Sequence, residues 1–222
     1  MSKKNVLPLS LSALGLVLSS AALAAPVREG HVRDAASGQF QQVRYIDDRG
    51  LAILEDGEDD IFLGPTRLME KAEERVQART TRALSSEASS LEGMGILTIR
   101  QRWPEGVIPY SLSPDLPHPE RVTAALQQWQ QRTNIRFVQR TDDNASRYPH
   151  YVLFTRGETL GSYVGMAGGE QPVTLTDDCD AGDVLHQVGH VIGLGHEQER
   201  VADGGRLNGG AITAVSMLYP RS

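Results

Sequence analysis

The chain has 222 residues, with 22 Lys and Arg against 28 Asp and Glu, for a net charge of −6. At 40% hydrophobic and 23% charged it can bury a core, and its length allows one domain, with or without a leading segment, at ~100–200 residues per domain. The acidic balance and 5% aromatic content exclude the basic, base-stacking surface that nucleic acid requires, and the single cysteine, Cys179, excludes an internal disulfide or a cysteine-only zinc finger.

Residues 1–24 read as an export signal. Lys3 and Lys4 supply a positive start, an apolar stretch runs from Val6 to Leu18, and Ala22-Leu23-Ala24 presents small residues for cleavage after Ala24. The apolar run is broken by Pro8 and serines and falls short of the ~20 residues a membrane span needs. No other segment is long and apolar enough to cross a bilayer, so a secreted or periplasmic product with no membrane span is expected. An exported protein without disulfides needs another stabiliser, and a metal is one candidate.

From Pro26 to about Arg82 the chain is charged and unevenly patterned. Alternation over Gln42–Leu54 predicts short strands, followed by an acidic turn, Glu55–Asp60, and then Ile61-Phe62-Leu63-Gly64. Leu68, Met69, Ala72 and Val76 predict a helix over Thr66–Leu84. Residues 85–95, rich in Ser, Gly and Glu, read as an exposed linker of the kind proteases cut. The second part, 95–222, begins with strands at Ile96–Ile99 and Val107–Leu112 around a Trp103–Gly106 turn. A helix opens at Pro119 and runs to about Arg132, with Val122, Ala125, Leu126 and Trp129 as its buried stripe. Ile135–Val138, Tyr151–Phe154 and Val173–Leu175 are further strands. Mixed elements without strict alternation predict an α+β class.

The chemistry concentrates between Asp183 and His196. Val184, Leu185, Val188, Val191 and Ile192 give the segment an apolar, helical character, and His186 and His190, four apart, project from one helix face. Gly193 can end the helix in a left-handed conformation and let the chain bring His196 back as a third ligand. A core position is the ordinary explanation for any single histidine but a poor one for the set. Three ligands with one open corner are the pattern of a catalytic zinc site, so one Zn²⁺ per chain is expected.

His186-x-x-x-His190-x-x-Gly193-x-x-His196-Glu197 resembles the zinc site of the metzincin proteases, and within them the astacins. Trp103–Tyr110 resembles the start of the astacin catalytic domain, and Gly161–Gly165 with Gly168–Gln171 resembles its substrate-side strand and following loop. Cys179, Gly182 and His196–Arg200 also match. Ser216-Met217-Leu218-Tyr219 resembles the Met-turn. The resemblance implies a metzincin-like α+β domain over about 95–222, a zinc endopeptidase activity, and peptide or protein substrates. It implies that Met217 underlies the metal, that Tyr219 alternates between the metal and the transition-state oxyanion, and that Glu197 pairs with the mature N-terminus. On spacing alone, Met217 and Tyr219 would be ordinary C-terminal packing.

The chain departs from the family pattern in three places. Gln187 stands where the family has the glutamate that takes a proton from the attacking water, and a carboxamide oxygen is barely basic. The stretch after His196 is short, which implies a reduced C-terminal subdomain. Cys179 lacks the partner it usually has, and a small buried core residue is its expected role. Asp60-Ile61-x-Leu63-Gly64 resembles the precursor segment in which an aspartate fills the open zinc corner. The resemblance therefore implies that residues 25–94 form a prosegment inhibiting its own enzyme, with Asp60 as the fourth ligand. Read without it, Asp60 belongs to a solvated acidic turn. The alternatives are a catalytically dead zinc protein that binds peptides or proteins in the cleft, and a metal-stabilised exported structural domain.

Overall fold

The computed structural model describes residues 25–35, 37–56, 60–83, 97–196, 202–203 and 205–220. The expected leader, the linker at 85–95, Asp59 and Glu197 lie outside the described residues.

The N-terminal part begins with a strand absent from the sequence reading, β1 (Arg28–Asp34). It continues through β2 (Phe40–Asp48), β3 (Leu51–Leu54) and β4 (Ile61–Pro65) into helix α1 (Thr66–Ala83). Strands β1 to β4 form an antiparallel meander. Its core is Val32, Tyr45, Ala52, Ile61, Leu63 and Met69, and Val164 from the second part completes it. Met69 and Ala72, three apart on α1, are the buried side of that helix, as the periodicity predicts.

The second part opens with β5 (Leu97–Ile99), which pairs in parallel with β1. A short 3-10 turn over Pro104–Gly106 leads into β6 (Val107–Leu112) and then α2 (Pro119–Arg132). After these come β7 (Arg136–Gln139), β8 (Tyr151–Arg156), β9 (Gly161–Tyr163) and β10 (Glu170–Leu175). Helix α3 (Ala181–Ile192) follows, then the small ribbon of β11 (Ala202–Asp203) and β12 (Arg206–Leu207), and helix α4 (Gly209–Leu218). The architecture is α+β.

The two parts share one ten-stranded mixed sheet, ordered β5-β1-β2-β3-β4-β9-β10-β8-β6-β7. The sheet joins the two parts twice, through β1 with β5 at its edge and through a short parallel pairing of β4 with β9, Ile61 opposite Ser162 and Phe62 opposite Tyr163. Helices α2 and α3 pack on the second part around a core that includes Trp103, Trp129, Phe154, Leu185 and Val188. Cys179 is a buried free thiol in that core, and burial pushes its pKa up.

Candidate metal centre

Helix α3 positions the first two histidines, and specific contacts fix both of its ends. At the N-terminus the Asp180 carboxylate accepts from the Gly182 amide at 2.6 Å and the Asp183 amide at 3.0 Å, while Asp183 accepts from the Asp180 amide at 2.7 Å. This reciprocal capping box satisfies orphan amides and fixes where the helix starts. At the other end Gly193 has φ of 125°, a backbone angle that side chains with a Cβ rarely adopt. Its amide bonds back to the His190 carbonyl at 2.8 Å, and the Leu194 amide to that of Gly189 at 3.0 Å. The reversal returns the chain so that the Leu194 carbonyl receives His190 Nδ1 at 2.8 Å. A carbonyl can only accept, so Nδ1 carries the proton and the Nε2 lone pair faces the opposite way.

Two further side chains close the carboxyl end of α3. Trp103 Nε1 donates to the Val191 carbonyl at 2.8 Å, and the Tyr219 hydroxyl donates to the Ile192 carbonyl at 2.9 Å. These satisfy carbonyls that a helix end leaves without intrahelical partners.

The Nε2 atoms of His186, His190 and His196 and a carboxylate oxygen of Asp60 all lie within 4.8 Å of one another. Asp60 Oδ2 is 3.1 Å from His186 Nε2, and Oδ1 is 2.9 Å from His196 Nε2 and 3.5 Å from His190 Nε2. Tetrahedral zinc ligands at about 2.0–2.1 Å from the ion sit about 3.3–3.4 Å apart; the contacts of Asp60 Oδ1 with His196 and His190 bracket that spacing, while His186 sits against the other oxygen, Oδ2. His190 Nε2 and Asp60 Oδ1 are buried, and neither has a hydrogen-bond partner among the described residues, a costly state unless a cation lies between them. Three imidazoles and one carboxylate are a donor set zinc accepts. Burial pushes the Asp60 carboxyl up, but the three imidazoles of His186, His190 and His196 gathered around it outweigh this and hold its pKa well below the usual carboxylate range. Burial lowers the His196 pKa, and the carboxylates of Asp60 and Asp56 more than reverse this, raising it to about 9.

Gln187, the position of the expected general base, is fully buried between two partners. Its Nε2 donates to Asp60 Oδ2 at 2.5 Å, and its Oε1 accepts from Ser162 Oγ at 2.7 Å. The amide is therefore used in both senses, donor toward the N-terminal part and acceptor toward β9.

Two expected site residues are placed elsewhere. Met217 does not underlie the histidines: it lies on α4 and is 76% exposed. The segment expected to turn is instead helical. Asn208 caps it by accepting from the Ala211 amide at 2.8 Å, and Ala211 and Val215, four apart, take the buried face, which turns Met217 outward. Tyr219 is buried, and its hydroxyl also accepts from the Trp103 amide at 3.2 Å, so it closes α3 rather than facing the cluster. Its high pKa, raised by burial, suits that closed setting.

Two residues of the cluster were missed in the sequence. Ser162 was seen only as part of a strand motif, and nothing in its spacing marks the hydroxyl. Asp56 lay in the acidic turn but was not singled out, although its Oδ2 is 2.6 Å from His196 Nδ1. Glu170, another carboxylate in the family-like stretch, opens β10 and receives the Tyr151 hydroxyl.

Comparison with known proteins bears on residues 95–205, which match the family model for the Astacin peptidase family, half of the chain. Blastula protease 10 of Paracentrotus lividus is 40% identical over 105 residues, covering 45% of this chain and 18% of that protein. Bone morphogenetic protein 1 of Xenopus laevis is 39% identical over 103 residues, covering 44% of this chain and 14% of that protein. The chain thus spans less than a fifth of the length of these relatives. Among solved structures, High choriolytic enzyme 1, a hatching enzyme zinc-protease from Oryzias latipes, aligns at 25% identity with a TM-score of 0.38, covering 45% of this chain and 50% of that one. The matched region contains the α3 histidines, the Gly193 reversal and His196, and the chain belongs to the astacin family of metalloproteases.

Proposed function

We propose that the chain is the latent precursor of an exported astacin-type zinc endopeptidase, strongly impaired as written by Gln187. The observation that carries this reading is the meeting of Asp60 with three histidine Nε2 atoms at a single buried point. In this reading residues 1–24 are a signal peptide, 25–94 an inhibitory prosegment, and 95–222 the protease domain. His186, His190 and His196 hold one zinc through Nε2, and Asp60 takes the fourth corner in the latent form. Zinc, when bound, supplies Lewis acidity to the scissile carbonyl and to the attacking water.

The chain's own residues set the rest. Release of the prosegment withdraws Asp60 and leaves the fourth corner open, while the edge of β9 that β4 occupies becomes available to an extended peptide. Gln187 then faces the cleft where a base is needed. An amide binds and orients but cannot carry a proton from the water to the departing nitrogen, and such assistance typically contributes ~10²–10⁴-fold.

A second reading, a catalytically dead zinc protein that binds peptides in the cleft, is favoured by the engagement of the Gln187 amide through both its nitrogen and its oxygen and by the commitment of the Tyr219 hydroxyl to backbone groups. One assay separates the two. The prosegment is removed from the unmodified chain and from Gln187→Glu, and both are given a quenched-fluorescent peptide. Restored hydrolysis in the variant supports the protease reading. No hydrolysis by either, with peptide still bound, supports the second.

A further inference from the structure

The three histidines are not held equally. His186 and His190 ride on α3, and His190 is tied to the Leu194 carbonyl. His196 comes three residues after the Gly193 reversal, outside any helix, so its ring needs an orienting partner from elsewhere. That partner is Asp56, 140 positions away in the chain, whose Oδ2 lies 2.6 Å from His196 Nδ1. The pair is sheltered, with the two side chains 15% and 26% exposed, unlike the open surface ion pairs that contribute little.

An ionised carboxylate only accepts, so Nδ1 of His196 carries the proton and Nε2, turned to the cluster, is left as the ligand atom. A carboxylate behind a ligating imidazole fixes its tautomer and rotation and makes it a stronger donor. Asp56 and Asp60 leave the same β3–β4 connection, one reaching the back of His196 and the other its front.

We infer that Asp56 is a positioning residue of the metal centre, so that the docked N-terminal part strengthens zinc binding through His196 as well as through the direct ligand Asp60. This rests on the zinc reading above. It follows that zinc and the N-terminal part favour each other's binding, and that removing the N-terminal part loosens the metal by more than the loss of one ligand.

The test uses the full chain, freed of metal and reloaded with Zn²⁺. Affinity is measured by chelator competition for the unmodified chain and for Asp56→Asn, Asp56→Ala, Asp56→Glu and His190→Ala. The His196 Nδ1 proton is followed by NMR in the zinc-loaded chain, assigned by its loss in His196→Ala. The expected result is a ~10–100-fold weaker affinity in Asp56→Asn and Asp56→Ala. Zinc stays equimolar at saturation, and Asp56→Glu recovers part of the loss. The His196 ring proton should move in the Asn and Ala variants, which a role confined to holding the segment down would not produce. Unchanged affinity, or an unmoved ring proton, in Asp56→Asn overturns the inference while leaving the zinc site standing. Failure of the unmodified chain to bind zinc, or full binding by His190→Ala, overturns the zinc reading and this inference with it.

Discussion

The Gln187 amide donates to Asp60 at 2.5 Å, and both side chains are buried. An amide is the right partner for a carboxylate in that position, and a second carboxylate is the wrong one. Gln187→Glu would set two acidic groups against each other in a sheltered pocket, where one must bind a proton or the segment must withdraw. The same change also turns the Ser162 contact from amide to carboxylate. The metal-free Gln187→Glu chain should therefore unfold more readily than the unmodified one at pH 7, by about 1–3 kcal/mol. Urea unfolding of the two checks it, and equal stabilities would show that the contact is energetically idle.

The metal should be one zinc per chain. His190 is buried and belongs to both the cluster and the α3 turn, so His190→Ala removes a ligand and leaves a cavity. Elemental analysis should show near-equimolar zinc in the unmodified chain and little in the variant, and chelation should lower the melting temperature of the former alone. A chain that folds normally and takes up no added zinc would sink this.

Met217 and Tyr219 divide differently from what the family resemblance implies. Met217→Ala lies on an exposed helix face and should change stability by less than about 0.5 kcal/mol, with zinc content intact. Tyr219→Phe removes a buried hydroxyl shared by the Ile192 carbonyl and the Trp103 amide, and should cost about 1–2 kcal/mol. If Tyr219 acts only in closing α3, Tyr219→Phe in a Gln187→Glu chain without its prosegment keeps kcat once corrected for folded fraction. A large fall in kcat at unchanged stability would restore the tyrosine to the chemistry.

What could be read in the sequence follows from how local the determining forces are. Helix α2 has its Pro at the first position and an apolar stripe, α3 has its histidine spacing and terminal glycine, and both lie where the pattern puts them. Strand β1 was missed because only Gly30, Val32 and Asp34 alternate inward, and Gly30 and Asp34 carry no apolar signal. The buried Asp34 is paired locally, accepting from the Ser37 amide and the Gln41 side chain at 3.3 Å, and far along the chain by Arg100 at 3.7 Å. Helix α4 was missed because a resemblance suggested a turn where Asn208 and the apolar run to Leu218 favour a helix. In the site, the histidines could be found because three of them are constrained within eleven positions. Asp56 and Ser162 could not: Ser162 meets Gln187 only where β9 packs on α3, and Asp56 meets His196 only through the pairing of β4 with β9.

That pairing gives the last prediction. Gly161 on β9 faces Phe62 on β4: a Cβ built at Gly161 would lie 2.3 Å from the Phe62 ring, closer than any such contact can be held. Phe62 is also set edge-on against Tyr163, with ring centroids 5.7 Å apart, and the Asp60 carbonyl accepts from the Ser162 amide at 2.9 Å. The glycine is thus the gap through which the N-terminal part seats its aromatic side chain, two residues along the chain from Asp60. Gly161→Ala should push Phe62 and with it β4 outward, at a cost typical of overpacking, about 1–3 kcal/mol. The protease domain alone has no Phe62 to meet, so the same substitution there should be close to neutral. The measurement starts from chains nicked between residues 85 and 95 and passed over a sizing column at matched concentrations. The unmodified chain should keep its N-terminal fragment, held by the pairings of β4 with β9 and of β1 with β5 and by Val164 in the shared core. Gly161→Ala should release a measurable share of it, and Gly161→Ala with Phe62→Ala should retain more than Gly161→Ala alone, because the second change removes the clash. Identical retention in all three would mean that the N-terminal part is held by contacts other than this junction.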